Sequence, residues 1–160
     1  LILSQIITSN FTAREALGGH NLETLITWLH ILSGLLLIAA GVIMLIWMLV
    51  QRGFRWYFAW LTLDFRGIRN DVVQLAGLKL PQAHGGGIAA TVQGLGVIAL
   101  IAVACSGGLW FLFNSTSLAT PDLTRRVLHW HKFLTTFVEI YFYSHGAMGV
   151  LHILLSRYEK

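Results

Sequence analysis

Two long stretches of the chain contain no charged side chain. The first is roughly Leu25–Val50 and the second roughly Ile88–Phe113. An α-helix needs about 20 consecutive apolar residues to cross the hydrocarbon core of a bilayer, and both stretches exceed that length. A third apolar stretch, roughly Val127–Leu155, carries Lys132 and Glu139. This pattern predicts an all-α, membrane-embedded helical bundle with three spans, forming a single domain over residues 1–160.

The segments outside these stretches predict how the spans are connected. Residues 1–23 begin with the apolar "LILSQII" and continue into a polar stretch, which is typical of the tail of a preceding helix and a loop. We therefore expect a further span upstream of Leu1, which would complete a bundle of four helices. Residues 51–87 form a loop between the first two spans, and within it Phe65–Leu78 has the pattern of a short amphipathic surface helix.

Composition and charge exclude several classes of function. Only 11% of the residues are charged, against about a quarter in ordinary soluble domains. One cysteine, Cys105, excludes a disulfide framework, a covalently attached haem and a cysteine-rich metal site. The 51–87 loop holds five of the chain's 11 Lys and Arg residues. This asymmetry indicates membrane topology rather than nucleic-acid binding, and places that loop and the C-terminus in the cytoplasm.

Histidines within apolar stretches are the strongest indication of function, because polar groups inside the hydrocarbon are costly and usually functional. His131 and His145 are 14 residues apart, so on a helix they share one face at a spacing of about 21 Å. His30 lies on the first stretch, with Gly34 and Gly41 on its own face. Glycines beside a histidine suit a large flat ligand that approaches the backbone closely.

Position within the spans pairs two of these histidines. His30 and His131 lie at similar depths on spans that run in the same direction, and Gly149 lies in line with His131. Two imidazoles on facing helices can hold the iron of a haem b between them. His145 lies deeper, so its second ligand would come from an upstream span or a neighbouring subunit. The alternative is that each histidine makes an ordinary hydrogen bond between helices, and Glu139 is either a proton-relay group or a contact to another subunit.

Two stretches carry a resemblance to a known family. "WLHILSGLLLIAAGVIMLIWMLVQRG" resembles the second helix of bacterial cytochrome b561 and of the cytochrome b subunits of formate dehydrogenase and nickel–iron hydrogenase. "WHKFLTTFVEIYFYSHGAMGVLH" resembles their fourth helix, which also has two haem-ligating histidines 14 residues apart. The similarity covers roughly Leu25 to Arg157. It implies that His30, His131 and His145 are haem ligands.

The resemblance also implies a cofactor and partners. It predicts two b haems, or one without the upstream helix, in the bacterial inner membrane. Electrons would pass between a periplasmic donor or partner subunit and quinone, within a homo- or hetero-oligomer surrounded by membrane lipid. We expect quinone near Gly146, His152 and Arg157. The alternatives are a non-redox membrane anchor for other subunits and a pigment-binding membrane subunit.

Overall fold

The computed structural model describes residues 1–12, 21–77, 79, 81–116 and 118–158. Within residues 151–158 it describes the side chain of Ile153 alone. The chain forms two compact units, one made of Leu1–Ala39 with Ala99–Lys160 and the other of Ala40–Ile98.

Every regular element in the described part of the chain is a helix, which confirms the all-α prediction. Six are α-helices and one, Ala59–Thr62, is a 3₁₀-helix. The α-helices are α1 (Ile2–Ser9), α2 (Leu22–Arg52), α3 (Phe54–Phe58), α4 (Arg66–Ala76), α5 (Ile88–Ser115) and α6 (Pro121–Tyr158).

Two of these helices are long and apolar enough to cross a membrane. Among the described residues, α2 and α5 pass that test, with mean hydropathies of 2.6 and 2.2 over their most apolar stretches. Both confirm predicted helices, extended by two or three residues at one or both ends. The third predicted span lies within α6, whose 38 residues include charged groups such as Lys132 and Glu139. That α6 spans the membrane therefore stays a prediction.

The first unit is held together by helices that approach each other at small residues. Gln5 on α1 lies against α2 at Gly34. A Cβ added to Gly34 would be 3.7 Å from the side-chain oxygen of Gln5. On α5, a Cβ at Gly108 would lie 3.5 Å from both Leu35 and Ile38 of α2. Buried apolar side chains fill the space between the helices, among them Ile6, Ile31, Leu37, Val103, Ala104 and Val138.

The second unit contains the loop that follows α2, and this loop is folded. Tyr57 and Phe58 are only 3% and 2% exposed, and Gly94 of α5 lies against them without a side chain of its own. The chain also crosses itself closely, since a Cβ on Gly67 would collide with the Gly86 carbonyl oxygen. The amphipathic helix expected at Phe65–Leu78 is present as α4, whereas α3 and the 3₁₀-helix were not predicted.

Candidate functional site

The first unit brings His30 of α2 and His131 of α6 together. Their ring centroids are 6.4 Å apart, and the ring planes are nearly perpendicular at 84°. The two residues are 101 positions apart in the chain, so packing of the helices creates this pair. Both rings are partly buried, and a cavity of about 360 Å³ lies beside them.

The surroundings of His131 determine which ring nitrogen carries its proton. Nδ1 lies 3.0 Å from the carbonyl oxygen of Val103 and 3.2 Å from the hydroxyl of Ser106. The Ser106 hydroxyl itself donates to the Val103 carbonyl at 2.8 Å. Because a carbonyl can only accept, Nδ1 must be the protonated nitrogen that donates to it. Nε2 then keeps its lone pair, which is the arrangement that a metal-binding histidine needs.

His30 is held in the same tautomer by a different partner. Its Nδ1 lies 3.0 Å from the Thr8 hydroxyl of α1. That hydroxyl can donate its own proton to the Ser4 carbonyl at 2.7 Å and accept from His30. In this arrangement His30 donates through Nδ1 and also keeps the lone pair on Nε2. Gln5 fixes the helix at this point by donating to the His30 carbonyl at 2.9 Å.

The cavity beside the pair is predominantly apolar and is lined by four helices. Its volume lies within the range of about 300–1,000 Å³ that is usual for ligand pockets. Gly34 and Gly107 leave space on the walls, and Lys132 is the cationic side chain in its lining. The lining contains residues of α1, α2, α5 and α6. Such a cavity suits a flat apolar molecule with acidic substituents.

The spacing of the two imidazoles fits a metal between them. The ring centroids are 6.4 Å apart, so both imidazoles could bind one ion between them. Among the described residues, no three His, Cys, Asp or Glu side chains cluster as a protein-only metal site would require. Two imidazoles at an apolar cavity would instead hold a group such as haem, whose macrocycle provides the remaining ligands.

The other residues expected at the site are less enclosed. His145 is exposed on α6 and stacks on Tyr141, with ring centroids 5.3 Å apart and planes at 19°. Gly146 and Gly149 are also exposed, and a Cβ on either would meet no atom within 4 Å. The binding roles of these residues stay predictions.

Three further residues named by the sequence analysis cannot be placed at a site. Gly41 is buried within the second unit. His152 and Arg157 lie on α6, but their side chains fall outside the described part of the chain. The roles predicted for them likewise remain predictions.

Several residues around the pair were missed by the sequence analysis. Thr8, Val103 and Ser106 orient the two rings, and none of them belongs to a recognisable motif. Gly107 approaches His131 so closely that a Cβ there would lie 2.8 Å from the ring carbon Cε1. From the sequence alone, Ser106 and Gly107 are only small residues whose spacing favours close packing of helices. The run of small residues at Ser106, Gly107 and Gly108 was the available signal.

Comparison with known proteins adds one match. The model of a family described as prokaryotic cytochrome b561 matches residues 1–158. No curated protein and no solved structure matches the chain significantly.

Proposed function

Because the chain belongs to the prokaryotic cytochrome b561 family, whose members are membrane b-type cytochromes of electron transfer, we propose that His30 and His131 are the axial ligands of one b haem. When bound, the haem supplies the one-electron chemistry, since its iron alternates between two oxidation states. The protein supplies the ligands, their orientation and the apolar surroundings that set the reduction potential.

The paired tautomers are the observation that carries this proposal. Nδ1 of each imidazole faces an oxygen on another helix, a carbonyl for His131 and a hydroxyl for His30, which leaves Nε2 of both rings available as a ligand. A structural histidine between helices needs only one such bond and no free partner nitrogen nearby. Here two rings with free lone pairs lie 6.4 Å apart at an apolar cavity. In addition, Lys132 offers a cation for the carboxylates of a haem.

We also propose a path for the electrons. They move between a periplasmic donor or partner subunit and the quinone pool of a respiratory chain in the bacterial inner membrane. The Lys and Arg residues of the 51–87 loop support a cytoplasmic position for this loop. His145 is the proposed ligand of a second haem, and Gly146, His152 and Arg157 are the proposed surroundings of the quinone.

The axial ligands are tested by replacing one histidine at a time. His30→Ala and His131→Ala should each remove one haem per chain, because an iron with one protein ligand is held much more weakly. His129→Ala is the matched control, since His129 is exposed and only two residues from His131 on α6. The measurement is haem content from the dithionite-reduced visible spectrum. Full haem content in both ligand variants would refute the pairing, and a protein without b-type bands would refute the function itself.

The quinone site requires a separate kinetic experiment. We expect His152→Ala and Arg157→Ala proteins that retain full haem to show slower haem reduction by quinol. An imidazole and a guanidinium could handle the proton and the charge of the quinone. Reduction at the parent rate in both variants, with unchanged binding of a quinone-site inhibitor, would place the quinone elsewhere.

A further inference from the structure

A second recess lies within the unit Ala40–Ile98 and is of a different character. Its volume is about 320 Å³, and its walls carry charge and bare backbone. Its lining includes Arg55, Asp64, Arg66, Gly67, Gly85 and Gly86. The three glycines bring main chain rather than side chains to its surface. A small ligand therefore has room to approach the guanidinium groups, while the Gly86 amide already donates to the Trp56 carbonyl at 2.9 Å.

The charges of this recess do not balance. The Arg66 guanidinium forms a fork on the Asp64 carboxylate, with Nε–Oδ1 and Nη2–Oδ2 distances of 2.9 and 2.8 Å. This hydrogen bonding lowers the pKa of Asp64 to about 2, so the carboxylate stays charged at neutral pH. Arg55 lies close enough to interact electrostatically with Asp64, yet among the described residues it has no ion pair of its own. The recess thus has one uncompensated positive charge and suits an anion.

The position of the recess along the chain gives its depth in a bilayer. Arg55 follows the end of α2 by three residues, and Gly86 precedes the start of α5 by two. At 1.5 Å per residue, α2 is about 46 Å long, close to the roughly 40–45 Å of a bilayer with its headgroups. Both walls of the recess therefore lie next to the ends of membrane-spanning helices, at the level of the lipid phosphates.

Apolar side chains on the same segment are directed outwards. Leu61, Leu63 and Phe65 are 53%, 81% and 51% exposed. Leu63 also has a left-handed backbone, with φ 58° and ψ 21°. A leucine is strained in this conformation, where glycine or asparagine would be favoured. In water the exposed Leu63 side chain is unfavourable, in addition to its backbone strain. In contact with acyl chains the exposure of this side chain becomes favourable.

We propose that this recess binds the phosphate of an anionic phospholipid, with Arg55 as its charged contact and Leu63 embedded beside the same lipid. Unpaired positive charge, bare backbone, exposed apolar side chains and headgroup depth occur together on residues 54–66 and 85–86. A lipid phosphate matches all four, and a dissolved phosphate ion matches only the first two. The site would secure the loop to the membrane surface.

Lipid retention measured by native mass spectrometry tests the proposal. The purified protein, with its haem, is released from micelles containing equal amounts of phosphatidylglycerol and phosphatidylcholine. The parent protein should retain phosphatidylglycerol at least about fivefold better, as one arginine at a membrane surface provides. Arg55→Gln should remove most of this preference. Arg69→Gln, the same change at an exposed position on α4 outside the recess, should reduce it clearly less than Arg55→Gln does.

The remaining arms separate a lipid from other anions. Leu63→Asn should weaken phosphatidylglycerol retention about threefold and leave any binding of inorganic phosphate unchanged. Equal retention of the two lipids by the parent protein would overturn the proposal without any variant. An equal effect of Arg55→Gln and Arg69→Gln would mean diffuse surface charge rather than a site. Complete displacement of the lipid by millimolar inorganic phosphate would identify a free-anion site and would also overturn it.

Discussion

Asp71 is expected to stabilise the 51–87 loop more than any other polar side chain described there. It lies on α4, is only 2% exposed, and connects two segments that are distant in sequence. Its Oδ2 accepts the Ile88 amide at 2.7 Å, which satisfies a free N–H at the start of α5. Its Oδ1 accepts from His84 Nε2, also at 2.7 Å. Replacing this residue should therefore loosen the loop from α5.

The magnitude for Asp71→Asn follows from these two contacts. In an asparagine an NH₂ group replaces one of the two carboxylate oxygens, so either the Ile88 amide or His84 would face another donor. A hydrogen bond to a charged group is worth about 1.5–3 kcal/mol, and a negative charge at a helix N-terminus adds about 0.3–1 kcal/mol. Because His84 can turn towards water, losing its hydrogen bond to Asp71 costs less free energy than losing that of the Ile88 amide. The expected destabilisation is about 2–4 kcal/mol.

A dependence on pH should accompany this loss. Nε2 of His84 faces the Asp71 carboxylate and Nδ1 faces the Gly85 carbonyl at 3.1 Å, so both nitrogens must donate. The hydrogen bond to Asp71, with a smaller effect of the Gly85 carbonyl, raises the pKa of His84 above 6.5. The stabilisation is fully present below the unfolded-state value of about 6.5 and is lost as pH rises through the raised folded value. In Asp71→Asn this dependence should largely disappear.

The assay is thermal unfolding of the purified protein in detergent, recorded from about pH 6 to about pH 9 around the histidine range. Asp71→Asn should lower the midpoint at pH 6 by about 5–12 °C. Asp122→Asn is the control, since Asp122 also lies in the first turn of a helix but is 64% exposed in its ion pair with Arg126. An exposed pair of this kind should cost less than about 1 kcal/mol. A midpoint within 2 °C of the parent for Asp71→Asn, with an unchanged pH profile, would refute the reasoning.

Two further predictions use glycines with matched controls. Gly107→Ala places a Cβ 2.8 Å from the ring of His131, so it should shift the reduced haem spectrum or lower haem content, whereas Gly108→Ala, with contacts of 3.5 Å, should do neither. Normal spectra in both variants would contradict a role for Gly107 in placing the ring. Gly94→Ala places a Cβ 2.9 Å from a buried aromatic ring and should destabilise the protein by about 1–3 kcal/mol. Gly77→Ala, where the Cβ would meet no atom closer than 3.4 Å, is its control in the same thermal assay, and equal midpoints for the two would count against this packing argument.

The helices were predictable because apolar composition and length are local properties. The predicted stretches Leu25–Val50 and Ile88–Phe113 cover nearly all of α2 and α5. The amphipathic pattern of Phe65–Leu78 correctly predicts α4. The helical turns at Phe54–Phe58 and Ala59–Thr62 were missed. They are short and are held by burial of Tyr57 and Phe58, which no periodicity over so few residues reveals.

The meeting of His30 and His131 was predictable, but the residues that surround them were not. His30 and His131 stand out because imidazoles are rare in apolar helices, and equal depth suggested that they meet. Thr8 and Val103 could not be foreseen, because a threonine and a valine carbonyl acquire their function only through a contact across helices. Gly107 could be noticed only as one of several small residues, since its role depends on where the His131 ring is directed.

The unbroken course of α6 fixes the distance between two of its histidines. His131 and His145 lie on one helix from Pro121 to Tyr158, so their axial separation of about 21 Å is set by main-chain hydrogen bonds. Substitutions in neighbouring helices, changes in bilayer thickness or tilting of the helix would move both residues together. Tunnelling rates depend steeply on distance. If both histidines hold haems, as proposed, a spacing fixed within a single helix would keep that rate constant while substitutions around the histidines changed the reduction potentials.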